Sequence, residues 1–538
     1  MDGSNDRRTR VSAAGAVGAG AVAVAGLLVW IATRSGPGVT NDSVAYLATA
    51  QHLAHEGRLT NFDGQRLSIF PPGYSTVVAA MLRAGIPTQL SIQVLGIATA
   101  MFVVAAARRL GRELGLTPMA ASLAALFVAV NTGLVLVHAM AWSEPLFVSA
   151  TLVALIALTR LHRVRRLEVR TVAVLALATG LAGVTRYTGI VLVGVIGAVV
   201  LADHWHRGRL RAIRSAAVVS ALCSWGIAAV IAVNVTDGRP PMGQRGGGAT
   251  FTFGETMTQL ATSIGRYALG GQASEGAMRT VGWLALVGVV ALGIRTAAHL
   301  ARGPGAVWAA AGAPVAAYVS AYVAFLVVSE MTTMLNQVDA RLLAPVFAPT
   351  VVLLALPVER AVAAWRARPA DERALGRPRP ALAAVALVAL AALLGSTAAE
   401  TTAWSSKAGT TGIRLNAVRK RRAPWVDVVK ALPRDAAVVA DDPYSVRWLG
   451  THEPVTPIPG RAFYAWVPFR PRLLEVRQFV TDHGGGYLVL TEGPNEEVVQ
   501  SMRWVGLDVQ PYRVEPGLEV YRLAPPTELG PGGQGVTP

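Results

Sequence analysis

The sequence predicts a polytopic α-helical membrane protein of about eleven transmembrane helices, with a small C-terminal extracytoplasmic α/β domain. Three observations predict it. Hydrophobic residues make up 53% of the 538 and charged residues only 15%, with a mean hydropathy of +0.44, a balance foreign to soluble domains of this size. Apolar runs recur along most of the chain, many near the ~20 residues that a spanning helix requires. Arg and Lys, which give a net charge of +17, collect in short segments between those runs.

The runs fall at 11–33, 88–107, 118–137, 145–159, 171–202, 215–234, 280–298, 304–328, 342–364 and 381–399. Six basic segments alternate with them: RRTR from Arg7, RRLGR from Arg108, RLHRVRRLEVR from Arg160, RGRLRAIR from Arg207, Arg295–Arg302 and the linker Arg360–Arg379. Together they hold 23 of the 49 basic residues. The excess of cationic over anionic side chains in short loops marks them as cytoplasmic. Parity then fixes the path. The first run crosses outward and, being longer than the apolar core of a signal peptide, is expected to stay as an uncleaved anchor. Residues 34–87 form an external loop. The run 171–202 lies between two basic clusters, so it must leave and return as two short helices with Thr185-Arg186-Tyr187 at the outer bend. FPPGYSTVVAAMLRAGI from Phe70 is interfacial or re-entrant, because a crossing there would put RRLGR outside. The N-terminus is inside and the C-terminus outside.

Two further external segments stand out. Residues 235–278 carry GQRGGG and then an amphipathic stretch, TFTFGETMTQLATSIGRYALGG, either a cover for a substrate or merely a mobile loop. After residue 400, helices are expected at 424–432 and 470–482 and strands at AAVVADD, GYLVLTE and LEVYRLA. The expected domains are thus 1–400, with the external loop 34–87; 401–524; and a Pro/Gly-rich, disordered tail, 525–538. The run Arg419-Lys420-Arg421-Arg422 reads as a solvated charge run or as a contact for lipid phosphates.

Several classes of function are excluded. The excess of basic over acidic charge gathers in membrane-flanking loops, which argues against nucleic acid. No cytoplasmic loop exceeds about 21 residues, too short for a nucleotide-binding domain. Any activated substrate must therefore come from the membrane. The single cysteine, Cys223, rules out a disulfide within the chain. No HExxH or CxxC pattern marks a metal site, and no cofactor is expected; acidic residues at outer helix ends are the groups that a divalent ion would use.

The chemistry-bearing candidates lie at the outer ends of the spans, where charge is costly to keep. Asp42 opens the external loop in NDSVAYLATAQHLAHEG, with Tyr46 one helical turn on. It is either a general base at the bilayer surface or a helix N-cap. His138 and Glu144 belong to the tight turn HAMAWSEPLF, where Glu144 is a helix-dipole partner or a substrate ligand. Arg186 and Tyr187 sit at the outer bend, and the Arg186 guanidinium would either hold a phosphate or snorkel to the interface. Asp339 and Arg341 in NQVDARLLAP are a local pair or, for Arg341, a phosphate ligand. Arg66 is a further arginine of the first loop.

Taken in order, DSVAYLATAQHLAHEG, FPPGYS, WSEPLF, GVTRYTG and DARLLAP resemble the motifs of the GT-C superfamily of membrane glycosyltransferases, which includes the protein O-mannosyltransferases and the lipid A aminoarabinose transferases. The resemblance covers roughly residues 10–400. It follows that family's Asp-Glu-x-x-Tyr pattern at Asp42 and Tyr46, and its Pro-Pro signature just before Tyr74. Two positions depart: Ser43 replaces an acidic residue, and Phe70 stands where some members carry Lys, leaving phosphate to Arg66, Arg186 or Arg341. The resemblance implies a polyprenyl-phosphate sugar donor; the Ala, Arg, Val and Gly bias of the sequence points to a high-GC bacterium, where mannose or arabinofuranose is the expected sugar. It implies a cell-envelope glycan, lipid or protein as acceptor, Asp42 as general base, inversion at the anomeric carbon and a place in a bacterial plasma membrane. Donor or acceptor contacts are then expected from Tyr46, Arg66, Tyr74, His138, Glu144, Arg186, Tyr187, Asp339 and Arg341. The rival expectations are a flippase for lipid-linked glycans, which would carry paired repeats and midplane charges, and a non-catalytic scaffold binding envelope polymer.

Overall fold

The computed structural model describes residues 3–525 apart from 65, 244–250, 272, 303–311, 334–337, 367–378, 459–468 and 492–494. The tail after Pro525, most of the GQRGGG stretch and the middle of the basic linker lie outside these residues. The chain forms two compact units, one of Met1–Pro37, Ser68–Val77 and Ile86–Gly412, the other of Gly38–Leu67, Val78–Gly85 and Ile413–Pro538.

The first unit is a bundle of apolar helices, and among the described residues each apolar run named above is helical over most of its length. Among the described residues, six are long and apolar enough to cross a bilayer: Ala13–Ala32, Thr88–Glu113, Glu144–Val164, Tyr187–Arg207, Ala313–Thr332 and Ala340–Ala364. Two further runs are broken. Pro118–Ala129 and Thr132–His138 meet at 64°, and Arg209–Cys223 and Trp225–Thr236 at 61°. The first break has a local cause: the Asn131 side chain accepts the Leu134 N–H at 3.1 Å, restarting the helix as an N-cap. Its amide donates to the Tyr267 carbonyl at 2.8 Å, which fixes the bend. The run 171–202 is likewise two helices, Val169–Thr185 and Ile190–His204, separated at an extended Arg186 (φ −151°, ψ 138°) and a short turn, Tyr187–Gly189. The Pro-Pro segment becomes the 11-residue helix Gly73–Arg83, too short to span. The protein is a multi-pass membrane protein.

Two contacts set the ends of this bundle. At the C-terminal ends of Thr88–Glu113 and Glu144–Val164, the buried Glu113 carboxylate takes Arg109 at 2.7 Å, Arg160 at 2.8 Å and Arg163 at 3.3 Å. Two basic clusters that the charge rule puts on one side are thereby tied together. Close helix packing sets the other. A Cβ on Gly226 would fall on the backbone of Gly180, and Trp225 Nε1 donates to the Ala176 carbonyl at 3.0 Å, so Val169–Thr185 and Trp225–Thr236 touch through glycine. The helix that ends in Arg186 is held by that contact. The amphipathic stretch forms the helix Phe253–Leu269, opened by a Thr252/Glu255 capping box. It lies along Glu275–Arg302 with Gly265 against the Met278 backbone and Gly282 against that of Ala261. The amphipathic segment expected within 235–278 is thus a helix, and its glycines admit a backbone-to-backbone fit.

The second unit is built on a five-stranded sheet of order β2-β1-β3-β5-β4. β1 (Ala437–Ala440) pairs in parallel with β2 (Val455–Pro457) and β3 (Gly486–Leu490). β5 (Leu518–Ala524) lies antiparallel between β3 and β4 (Asp508–Glu515). β2 and β4 carry no sequence signal. The first is three residues long, and the second is an edge strand, mostly exposed, with a bulge after Pro511 that breaks alternation. Helices Pro424–Lys430, Phe469–Asp482 and Glu496–Trp504 complete it.

Residues 38–67, which the sequence groups with the transmembrane domain over 1–400, pack here instead. Val39, Val44, Ala48 and Phe62 share one apolar cluster with Val428, Val438 and Val446. Phe62 meets Tyr444 edge-on at 5.3 Å, and the Leu415 N–H donates to the Val39 carbonyl at 3.0 Å. Burial of these side chains decides the grouping, since an external loop with four apolar side chains to bury needs a core to join.

His52 pins the helix Asn41–His55 to this unit. Its Nε2 meets Glu453 at 2.7 Å and its Nδ1 the Thr60 carbonyl at 2.9 Å, while Arg447 bonds Gln51 at 2.7 Å and Glu453 at 2.8 Å. The Glu453 hydrogen bond raises the His52 pKa above 6.5 against the opposing effect of burial, whereas burial lowers that of His452. The signs are opposite. His52 stabilises the fold below 6.5, and that stability is lost as pH rises through its raised value. The neutral form of His452 is the stable one, so His452 costs stability as pH falls below 6.5. Amide exchange over residues 41–55, corrected for intrinsic rate, is expected to slow from about pH 8 to about 6.5. His52→Gln should remove that slowing; an unchanged profile would exclude His52 as its source.

Candidate active site

The chemistry of the first unit concentrates at the start of Glu144–Val164. In the sequence WSEP each of the first three residues meets an arginine. Glu144 is fully buried, with an exposure of 0%, and its Oε1 accepts from both Arg186 Nη1 and Arg341 Nε. Ser143 Oγ accepts from Arg186 Nη1 at 3.2 Å. The Arg341 guanidinium stacks over Trp142, its Cζ 5.0 Å from the ring centroid. Both arginine side chains are only 14% exposed. Three distant stretches of sequence are therefore joined by one carboxylate, at the end of a 21-residue helix ~30 Å from the Glu113 cluster.

This arrangement decides between the alternatives left by the sequence. Arg186 turns inward to Glu144 and does not snorkel. Glu144 does occupy the first turn of its helix, where a carboxylate suits the dipole, but it also binds two cations. Asp339 accepts the Arg341 and Leu342 backbone N–H groups at 2.9 and 3.3 Å and so caps Ala340–Arg366, while the Arg341 guanidinium reaches across to Glu144. Burial pushes the Asp339 carboxyl upward from its ordinary value; Arg341 and the two N–H bonds oppose this, and Glu144 adds to it.

The bend that presents Arg186 is anchored through its neighbour. Tyr187 donates from its hydroxyl to the Ser68 carbonyl at 2.8 Å and accepts from Asn234 Nδ2 at 2.9 Å. Asn234 has no signature in the sequence, because a lone amide in an apolar run resembles any other polar residue. Tyr322, buried, lies near enough to feel the charges of Arg186 and Glu144. His138 is buried too, its Nδ1 2.8 Å from the Leu134 carbonyl, and among the described residues its Nε2 has no hydrogen-bond partner. Tyr74 is buried in the first turn of Gly73–Arg83.

The other candidates belong to the second unit. Asp42 occupies the first turn of Asn41–His55 and is half-buried, with Tyr46 buried on the same face. The N-cap is Thr40, not Asp42. The Thr40 N–H donates to Ser43 Oγ at 3.0 Å, which gives Ser43 a structural role where the family pattern has an acid. Burial pushes the Tyr444 phenol upward, and the charges of Asp42, Asp63 and Asp442 add to this. Arg66 is half-buried and bridges to Thr60 through its backbone. Among the described residues, no group of three His, Cys, Asp or Glu side chains is placed to hold a metal ion.

No protein-family profile and no curated protein matches the sequence. Solved structures do match. ArnT of Cupriavidus metallidurans in its apo state, an aminoarabinose transferase, aligns at 14% identity over 95% of this chain and 98% of its own, with a TM-score of 0.58. Its complex with undecaprenyl phosphate aligns at 13% over 93% and 97%, with 0.56. The archaeal oligosaccharyltransferase AglB of Archaeoglobus fulgidus, with an inhibitory peptide and a dolichol-phosphate, aligns at 13% over 93% and 74%, with 0.50. This chain has the GT-C fold. At such identities the likeness extends to architecture, and within the GT-C fold the roles of individual residues rest on their own geometry.

Proposed function

We propose that this protein is an integral membrane glycosyltransferase that moves a sugar from a polyprenyl-phosphate donor to a hydroxyl of a cell-envelope acceptor. The observation that carries this reading is the convergence of Arg186 and Arg341 on the buried Glu144 in a helical bundle of GT-C fold. The undecaprenyl phosphate held by ArnT and the dolichol-phosphate held by AglB support a lipid phosphate as the anion. The charge pattern of the sequence, which assigns only short loops to the cytoplasmic side, supports the same donor class.

In this reading the two guanidiniums hold the donor phosphate by charge-assisted hydrogen bonds. The acceptor oxygen attacks the anomeric carbon on the face opposite the phosphate, and the bond from that carbon to the phosphate oxygen breaks. Asp42 takes the proton from the acceptor hydroxyl, and the arginines stabilise the charge growing on the departing lipid phosphate. The sugar is inverted and polyprenyl phosphate is released. The reaction takes place on the outer side of a bacterial plasma membrane, with the N-terminus inside.

Purified protein reconstituted in lipid bilayers should transfer label from polyprenyl-phosphate mannose or polyprenyl-phosphate arabinofuranose to delipidated envelope acceptors, and release polyprenyl phosphate in equal amount. Transfer from a nucleotide sugar without a lipid intermediate would overturn the proposal.

A further inference from the structure

Glu144 is a costly residue for a site that must hold an anion. It is fully buried, it occupies both guanidiniums, and as a carboxylate it repels a phosphate. Its cost has a use once the charges are counted. Glu144, Arg186 and Arg341 together carry a formal +1, and Asp339, close enough to act on Arg341, brings the surroundings towards neutrality. Trp142, Ser143 and Tyr322, which also face the cluster, are uncharged. A glycosylated lipid phosphate is a diester with one negative charge, whereas the lipid phosphate left after transfer is a monoester that carries about two above its second pKa of ~6. A cluster of this charge still attracts the partial charge that grows on the phosphate during transfer, but for a full second charge the attraction rises only in proportion, whereas the desolvation cost rises with the square of the charge.

We propose that Glu144 sets the charge of this cluster so that the site accepts the singly charged phosphodiester of the donor and does not retain the doubly charged phosphate of the product. The proposal rests on the reading of Arg186 and Arg341 as the phosphate ligands. Without the carboxylate the two guanidiniums would form a +2 site and hold the product.

The test uses the full-length protein in detergent, with farnesyl phosphate as the dianion and its methyl ester as the monoanion, binding being measured by calorimetry at about pH 8. The wild-type protein should bind the monoester no more tightly than the diester. In Glu144→Gln the affinity ratio should shift towards the monoester by about tenfold or more, and Glu144→Asp should keep the wild-type ratio. An unchanged ratio in Glu144→Gln, or a wild-type protein that already favours the monoester tenfold, overturns the proposal. Should the glutamine variant not fold, the wild-type protein still decides: its affinity for farnesyl phosphate should stay within about threefold from pH 5.5 to 8 as the ligand loses its second proton, and a tenfold rise overturns the proposal. Failure of both esters to bind the wild-type protein would instead remove Arg186 and Arg341 as phosphate ligands.

Discussion

Asp42→Asn is expected to reduce sugar transfer by about 10² to 10⁴-fold, the usual contribution of a positioned general base, while leaving the fold intact. Asparagine keeps the size and polarity of the side chain. What it loses structurally is a carboxylate in the first turn of a helix, worth ~0.3–1 kcal/mol. The apolar contacts of Val44 and Ala48 that seat this helix are untouched. Ser43→Ala is the matching control. It breaks the capping bond to the Thr40 N–H and should cost ~0.5–2 kcal/mol of stability, yet retain transfer. The pair therefore separates chemistry from folding: one variant is stable and inactive, the other less stable and active. Undiminished transfer in Asp42→Asn would remove that residue as the base, whatever the donor proves to be.

The second large effect is expected at the arginines. Arg186→Ala and Arg341→Ala should each lower kcat by about 10² to 10³-fold, the scale seen when one donor to a developing oxyanion is removed, and raise the KM for the lipid donor. Lysine at either position should not rescue activity, because an ammonium cannot reproduce the planar fork that meets Glu144 on one edge. Stability complicates the alanine variants. Each leaves Glu144 buried with half its compensation, a loss of about 3–5 kcal/mol where a buried pair is broken. The triple variant Glu144→Met, Arg186→Met and Arg341→Met removes all three charges together, and such replacements are often neutral or stabilising. It should unfold near the wild-type temperature and transfer nothing. A triple variant that folds and still transfers sugar would show that the cluster serves the fold alone.

Sequence and structure divide the explanation between them along physical lines. Periodicity and charge are local properties of a chain in lipid, and they made the helical bundle legible. An apolar run of about 20 residues has to become a helix because its backbone polar groups find no water, and arginines in short loops stay on the side from which they cannot cross. The break at Arg186 could even be inferred from parity, since two basic clusters flank a run too long for one crossing and needing two. Asp42, Glu144, Arg186 and Arg341 stood out as candidates because a charge beside a membrane span is expensive to keep.

The partners of those charges were beyond reach. Nothing in WSEPLF, GVTRYTG or DARLLAP indicates that one carboxylate receives two guanidiniums from residues 42 and 197 positions away. Asn234, which steadies the Arg186 bend through Tyr187, and Tyr322, which lies against the cluster, were invisible for the same reason: their role comes from packing, not from spacing. The second unit is the clearest case. An amphipathic segment announces that it will bury one face, never against what, and Val39, Val44, Ala48 and Phe62 found their cover in a sheet that begins nearly 400 residues later. By itself the sequence determined which segments are apolar helices and which of its charges were worth suspecting, because solvation acts on each segment separately. Which charges meet, and which core receives the first external loop, was decided only by the tertiary structure, because pairing and burial are properties of segments brought together in space.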